Sequence, residues 1–249
     1  MKKYLFTLGI VITLSFLVGG EFQKRKIFPY GTGIRGEIYS FFNFNFFDSN
    51  SPHKANDACN SKNDVHHNFS MFANRQIEKI FIGDSIVQSS FNKDLFEFDY
   101  TVIGVSGMTI DCLKYSKKYL KKINPKEIII YLGGNDSDLQ GVENNDQIKN
   151  TFKNFIEEVL NDIELEKIFI IGIYYGSENH RNYDFAYELN ANLRDIAKLS
   201  NIVHFIEPYN EFNFQNKKIN KNLSYDGEHL TYEGYRKFFD YINSSIKMN

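Results

Sequence analysis

From Glu78 onward, short β-rich runs alternate with amphipathic stretches of helical periodicity, and this alternation limits the fold more than any other feature. The runs at 79–83, 100–105, 127–132, 167–173 and 202–206 predict five strands. The stretches at 85–96, 109–123, 147–163, 183–199 and 231–246 predict helices between and after them, with Thr231 as an N-cap. Strands separated by helices pair in parallel, so the sequence predicts an α/β domain with a doubly wound, five-stranded parallel sheet.

Three short polar or glycine-containing segments directly follow predicted strands. They are Gly83-Asp84-Ser85, Gly107 and Gly134-Asn135-Asp136. Ligands of parallel sheets bind beyond the carboxyl ends of the strands, where these segments should meet. A fourth segment, Asp226 to His229, lies in a loop before the last helix.

These segments contain the groups needed for acyl transfer through a serine. Ser85 lies where a strand passes into a helix and is the candidate nucleophile. His229 is the candidate general base, and Asp226, three residues earlier, can reach the near ring nitrogen and orient the ring. Taken singly, Gly-Asp-Ser is more often a capped helix start and Asp-x-x-His a surface pair, so the prediction rests on their combination.

A tetrahedral intermediate also needs hydrogen-bond donors for its negative oxygen. The candidates are the backbone N–H of Ser85, the backbone N–H of Gly107 and the side-chain amide of Asn135. The alternative interpretation is a turn glycine and a turn asparagine. No Gly-x-Ser-x-Gly elbow is present, which argues against an α/β-hydrolase.

In this order and context the segments resemble the SGNH (GDSL) hydrolase family over about residues 77 to 247. Its serine, glycine, asparagine and histidine match Ser85, Gly107, Asn135 and His229, with Leu230 and Gly234-Tyr235 following as in the family. The family often has an Asn or Arg near the glycine that corresponds to Gly107, where this chain has Val105-Ser106. The resemblance implies a flavodoxin-like three-layer α/β/α domain at 76–249, with Asp226 as the third triad member.

The function implied is a serine esterase that requires no cofactor and no metal. It would act on ester bonds, O-acetyl or other acyl groups, of cell-envelope carbohydrate or lipid. Two alternatives stay open: an O-acyltransferase that acts on a sugar hydroxyl, and a non-catalytic binding protein of the same fold. The acyl chain, the alcohol and the oligomeric state do not follow from the sequence.

The N-terminus predicts export. Lys2 and Lys3 precede an uncharged, mostly apolar run at 4–20, so residues 1–20 are interpreted as a signal peptide or a membrane anchor. Val18-Gly19-Gly20 is an imperfect cleavage site, which leaves membrane association through residues 4–20 open. The protein is therefore expected in the periplasm or outside the cell.

Residues 21–75 are interpreted as an irregular extension. It contains an aromatic stretch at 39–47, which is either buried or part of a cleft, and a polar segment at 48–68. The histidine pair at 66–67 lacks further metal ligands at suitable spacing, and His53, His180 and His204 are likewise assigned structural or surface roles.

Cysteine and charge content add two constraints. Cys59 and Cys112 show no metal-binding spacing, and the sequence leaves open whether they form a disulfide. Lysine and arginine number 29 against 31 acidic residues, without a long basic run. Nucleic-acid binding is therefore not expected.

Overall fold

A computed structural model describes residues 59, 61–89, 100–136, 145–174, 183–208, 220 and 222–248. The apolar run at 4–20, the aromatic stretch at 39–47, His53, His180 and the predicted helix beyond residue 89 lie outside the described residues.

The sheet has five parallel strands in the order β2-β1-β3-β4-β5. The strands are β1 (Lys79–Gly83), β2 (Thr101–Gly104), β3 (Glu127–Tyr131), β4 (Lys167–Ile171) and β5 (Val203–Ile206). The prediction of a five-stranded parallel sheet of flavodoxin-like order is confirmed. The strand order reverses between β1 and β3, which is where a ligand crevice is expected.

Six helices accompany the sheet in the described ranges: α1 (Lys62–Ser70), α2 (Ser85–Gln88), α3 (Leu113–Ile123), α4 (Asn145–Asp162), α5 (Tyr183–Ala197) and α6 (Tyr232–Met248). A short 3₁₀ helix, Ile110–Cys112, leads into α3. Helix α3 packs against α1 and α4, and α4 packs against α5. Helix α6 begins at the predicted N-cap, where the Thr231 hydroxyl accepts a hydrogen bond from the Gly234 N–H at 3.1 Å.

The core consists of β-branched and aromatic side chains on both faces of the sheet. The central positions of β1, β3 and β4 are fully or almost fully buried, as expected for parallel strands covered on both sides. On one face, Phe239 of α6 packs edge-on against Phe81, with 6.4 Å between ring centroids. Phe238 packs in the same manner against Tyr131 at 5.3 Å. Helix α6 is thereby fixed to β1 and β3.

Helix α1 differs from the sequence prediction, which treated residues 21–75 as irregular. Its segment is polar, and the two side chains that it buries completely are Val65 and Phe69. A disulfide between Cys59 and Cys112 ties the start of this segment to the 3₁₀ helix, and so resolves the question that the sequence left open. Packing and the covalent link thus order a helix whose own sequence pattern is weak.

Within the described ranges, no helix combines the length and the apolar character needed to cross a membrane.

Candidate active site

Ser85 lies at the turn between β1 and α2, at the carboxyl edge of the sheet. The Asp84 carboxylate caps α2 by accepting a hydrogen bond from the Ile86 N–H at 2.9 Å. Gly83 is required by close packing, because a Cβ there would lie 2.1 Å from Val87 Cγ2 and 2.7 Å from the Tyr131 carbonyl oxygen. The tight turn leaves the Ser85 side chain partly exposed at the sheet edge.

His229 and Asp226 lie on a loop that is closed on itself. An isolated antiparallel bridge joins Ser224 to Leu230 at its base. Inside it, the Ser224 hydroxyl donates to the His229 carbonyl oxygen at 2.7 Å and accepts from the Gly227 N–H at 2.8 Å. Gly227 has a φ of 92°, in the left-handed region that a glycine adopts without strain. The loop therefore has a defined shape of its own.

The same loop aligns the carboxylate with the imidazole. Asp226 Oδ1 accepts from the backbone N–H groups of His229, at 2.7 Å, and Glu228, at 2.9 Å. Its second oxygen, Oδ2, lies 2.7 Å from His229 Nδ1. The hydroxyl of Tyr174, beyond the end of β4, donates to the Glu228 carbonyl oxygen and links the loop to the sheet.

The fold brings Ser85 to the other ring nitrogen of His229. Ser85 Oγ lies 3.1 Å from His229 Nε2, although the two residues are 144 positions apart. When Nδ1–H donates to Asp226, Nε2 is left as an acceptor for the Ser85 proton. The three predicted catalytic residues are thus in one continuous hydrogen-bonded chain, which is the arrangement of a serine nucleophile with an oriented base. Their catalytic roles stay a prediction.

The electrostatics of the three hydrogen-bonded residues suit a histidine that accepts a proton beside an ionised carboxylate. The hydrogen bond that the His229 ring donates to Asp226 raises the pKa of His229 against the opposing effect of its burial. Partial burial alone would raise the pKa of Asp226, but hydrogen bonds from the His229 ring and two backbone N–H groups outweigh it and lower that pKa to about 2. The carboxylate therefore stays ionised wherever the histidine is neutral.

The oxyanion candidates follow β2 and β3, on either side of Ser85. Gly107 has a φ of 70° in an exposed turn after β2, a conformation that favours glycine. The Asn135 side chain, after β3, donates from Nδ2 to the Met108 carbonyl oxygen at 3.1 Å. The Val105 N–H donates to the Gly83 carbonyl oxygen at 2.9 Å, which ties this turn to the residue before Asp84. The two turns and the serine turn are therefore interlocked.

Asp136 is a residue of the site region to which the sequence assigned no role. It is buried, and both carboxylate oxygens accept from the Ile110 N–H, at 3.1 and 3.2 Å. Burial, aided by the nearby Asp84 carboxylate, raises the pKa of Asp136 to about 7 despite the Ile110 hydrogen bond. Asp136 joins the Asn135 turn to the segment after Gly107, and its position directly after Asn135 was its one sequence signal.

Two other histidines among the described residues make contacts elsewhere in the fold. His66 contacts Tyr115 and Tyr119 edge-on, and His204 stacks on Phe169. No group of three or more His, Cys, Asp or Glu side chains among the described residues is arranged to hold a metal ion.

Comparison with known proteins supplies the family. The model of the GDSL-like lipase/acylhydrolase family matches residues 81–237. No curated protein sequence matches the chain at a significant level.

Solved structures with the same fold share little sequence with this chain. A candidate platelet activating factor from Streptococcus pneumonia has a TM-score of 0.66 and 19% identity, over 75% of this chain and 92% of that one. A GDSL-like lipase from Bacteroides thetaiotaomicron has a TM-score of 0.61 and 21% identity, over 78% and 98%. A catalytic mutant of an acetylxylan esterase from Geobacillus stearothermophilus has a TM-score of 0.54 and 17% identity, over 69% and 93%.

Proposed function

This chain belongs to the GDSL-like lipase/acylhydrolase family and is a hydrolase of ester bonds, and we propose that it works through Ser85 as a nucleophile. One observation carries the proposal: the chain Ser85 Oγ–His229 Nε2, at 3.1 Å, and His229 Nδ1–Asp226 Oδ2, at 2.7 Å.

The proposed reaction has two halves. Ser85 Oγ attacks the ester carbonyl carbon as His229 Nε2 takes its proton, and the negative charge on the former carbonyl oxygen is held by donors from Ser85, Gly107 and Asn135. The C–O bond to the alcohol then breaks, and His229 returns the proton to the leaving oxygen. Water, deprotonated by His229, attacks the acyl-enzyme and releases the acid and Ser85.

We further propose O-acetyl groups on extracytoplasmic glycans as the substrate class. The acetylxylan esterase among the structural relatives supports it, as does the predicted export signal. A buried disulfide between Cys59 and Cys112 supports an oxidising compartment. The Tyr225 ring, 60% exposed, lies at 14° to the His229 ring with 5.9 Å between centroids and offers a flat aromatic face beside the base.

The test of the mechanism is Ser85→Ala in the purified protein, assayed on nitrophenyl esters from acetyl to palmitoyl. We expect turnover to fall by at least about 10³-fold, as for loss of a nucleophile. The matched control is Ser244→Ala, which removes an exposed hydroxyl bonded to the Asp240 carbonyl oxygen on α6 and should leave turnover unchanged. Wild-type circular dichroism with more than a tenth of the activity in Ser85→Ala would reject the serine mechanism.

The test of the substrate class compares acetylated glycans with ethyl acetate. We expect Tyr225→Ala to raise KM for the glycan ester and to change KM for ethyl acetate little, because this small aliphatic ester has no ring to stack on the tyrosine. Equal effects on both would remove Tyr225 from substrate recognition. Product analysis separates hydrolysis, which releases free acetate, from transfer, which yields a newly acetylated sugar.

A further inference from the structure

Three contacts join the segment before the matched family region to the stretch from Gly104 to Cys112, and one of them reaches the turn that carries Gly107. Cys59 is disulfide-bonded to Cys112. The Ser61 hydroxyl donates to the Ser106 carbonyl oxygen at 3.0 Å. The Asn68 side chain reaches the Gly104 carbonyl oxygen at 3.4 Å. The family model begins at residue 81, so these contacts come from outside it.

The Ser61 contact acts on one particular peptide group. The Ser106 carbonyl and the Gly107 N–H belong to the same planar peptide, and the described chain has no cis peptide bonds. In a trans peptide the carbonyl oxygen and the N–H point to opposite sides. A hydroxyl that holds the Ser106 oxygen therefore directs the Gly107 N–H away from α1.

The Met108 N–H donates to the Val105 carbonyl oxygen at 3.1 Å and closes the turn, but the central Ser106–Gly107 peptide takes no part in that bond, so the closed turn allows it two opposite orientations. Ser106 and Gly107 are both exposed, and Gly107 has the wide conformational freedom of a glycine at a φ of 70°. The residues that follow are held from the other side, by Asn135 at the Met108 carbonyl oxygen and by Asp136 at the Ile110 N–H. The hydrogen bond from Ser61 thus acts on the peptide that the turn's own closing hydrogen bond leaves out.

Ser61 is placed for this contact and is not used as a helix cap. It occupies the N-cap position of α1, where a serine commonly bonds a backbone N–H, yet its side chain makes no capping hydrogen bond. It is buried, and its Oγ would lie 3.3 Å from a Cβ at Gly107. The disulfide two residues earlier and the buried Val65 and Phe69 hold the start of α1 against the turn.

We propose that Ser61 is a positioning residue for ester hydrolysis, which fixes the Ser106–Gly107 peptide so that the Gly107 N–H faces the oxyanion, with the Cys59–Cys112 disulfide holding Ser61 in place. The inference rests on the proposed function, in which Gly107 is an oxyanion donor. Accepting a hydrogen bond at its carbonyl also polarises a peptide, which strengthens its N–H as a donor.

The test is Ser61→Ala, with kcat and KM measured on nitrophenyl acetate. A misdirected oxyanion donor weakens binding of the transition state alone, so we expect kcat to fall about tenfold, a fraction of the loss for removal of a whole donor, with KM within about twofold of the wild type. Ser61→Thr keeps the hydroxyl and should restore most of kcat. The matched control is Ser70→Ala, which removes a hydroxyl that donates to the His67 carbonyl oxygen at the end of α1. This control should leave kcat and KM unchanged.

The possible outcomes separate the inference from the function on which it rests. Retained activity in Ser85→Ala, assayed alongside, would reject the serine mechanism. Loss of activity in Ser85→Ala with an unchanged kcat in Ser61→Ala would reject the inference alone. A lower kcat in Ser61→Ala that Ser61→Thr does not restore, or that follows a lower thermal midpoint measured by circular dichroism, would also reject it.

The role of the disulfide is tested by replacing Cys59 and Cys112 together with alanine, with and without Ser61→Ala. If the disulfide acts by holding Ser61, removal of the hydroxyl should cost less kcat in the disulfide-free protein than in the wild type. If Ser61→Ala lowered kcat by the same factor with and without the disulfide, this part of the proposal would be rejected. A disulfide-free protein with wild-type kcat would also reject it.

Discussion

Replacement of Asn135 tests the oxyanion assignment most directly. Its amide nitrogen carries two hydrogens, and one is committed to the Met108 carbonyl oxygen at 3.1 Å. The second can donate to the negative oxygen of the tetrahedral intermediate. Asn135→Ala removes both, so it should affect the rate and, more weakly, the stability.

The two effects have different sizes. Loss of one oxyanion donor lowers kcat by about 10²–10³, which corresponds to about 3–4 kcal/mol of transition-state stabilisation. Loss of one neutral hydrogen bond to Met108 should cost about 1 kcal/mol of unfolding free energy. For a protein of this size that is a fall of about 2–4 °C in the thermal midpoint, too small to unfold the protein at assay temperature.

The assay measures kcat and KM on nitrophenyl acetate, with thermal unfolding followed by circular dichroism. KM should change little, because the donor acts on the transition state. Asn135→Asp is the matched variant: its shape is similar, but an ionised carboxylate cannot donate and repels the oxyanion, so its kcat should be at least as low. A wild-type kcat in Asn135→Ala would refute the assignment. A loss of unfolding free energy as large as the loss of transition-state stabilisation would point to a structural role.

Three further predictions concern other parts of the site. Asp226→Asn removes the hydrogen bond to a carboxylate that raises the pKa of His229. The acid limb of the kcat/KM profile, expected above pH 6.5, should therefore move to lower pH, and turnover should fall by up to about 10⁴-fold. A pH–rate profile measures both effects. The pKa of Asp136 is about 7 in the folded state and 3.8 for an ordinary aspartate, so the folded protein binds this proton more tightly than the unfolded chain. The wild type should therefore lose stability as the pH rises from about 4 to about 7, and Asp136→Asn, which has no such proton, should not. The thermal midpoint of Asp136→Asn, measured relative to that of the wild type, should accordingly rise over this pH range. Gly83→Ala places a Cβ 2.7 Å from the Tyr131 carbonyl oxygen and should cost about 1–3 kcal/mol in urea unfolding, along with turnover, whereas full stability would contradict the close packing.

Much of the fold follows from sequence periodicity, because buried parallel strands and amphipathic helices have strong local patterns. The strand at 127–131 and the cap at Thr231 are examples. Helix α1 was missed because its apolar positions are few, and its order comes from contacts with distant residues. The pairing of Cys59 with Cys112 likewise depends on proximity across 53 positions, which no local spacing encodes.

The site was predictable in its residue types and not in its connections. Ser85, Asp226 and His229 could be named as candidates because their chemistry is visible in the sequence, as are the place of Ser85 directly after a strand and the three-residue spacing of Asp226 and His229. The function of Asp136 as a link between two turns could not, since its partner is a backbone N–H 26 residues away. Ser61 likewise lies 45 positions from the carbonyl that it holds.

The Asp226–His229 and Ser85–His229 contacts should differ in their resistance to unfolding, because only the first lies within the closed loop that carries Asp226 and His229. The Asp226–His229 contact spans three residues within a loop that is bonded to itself, so it depends little on the rest of the molecule. The Ser85–His229 contact requires α6, which follows the loop, to stay docked on β1 and β3. As the protein is warmed or denatured, turnover should therefore decline while the histidine still titrates with its shifted pKa, which makes enzymatic rate the more sensitive reporter of helix docking.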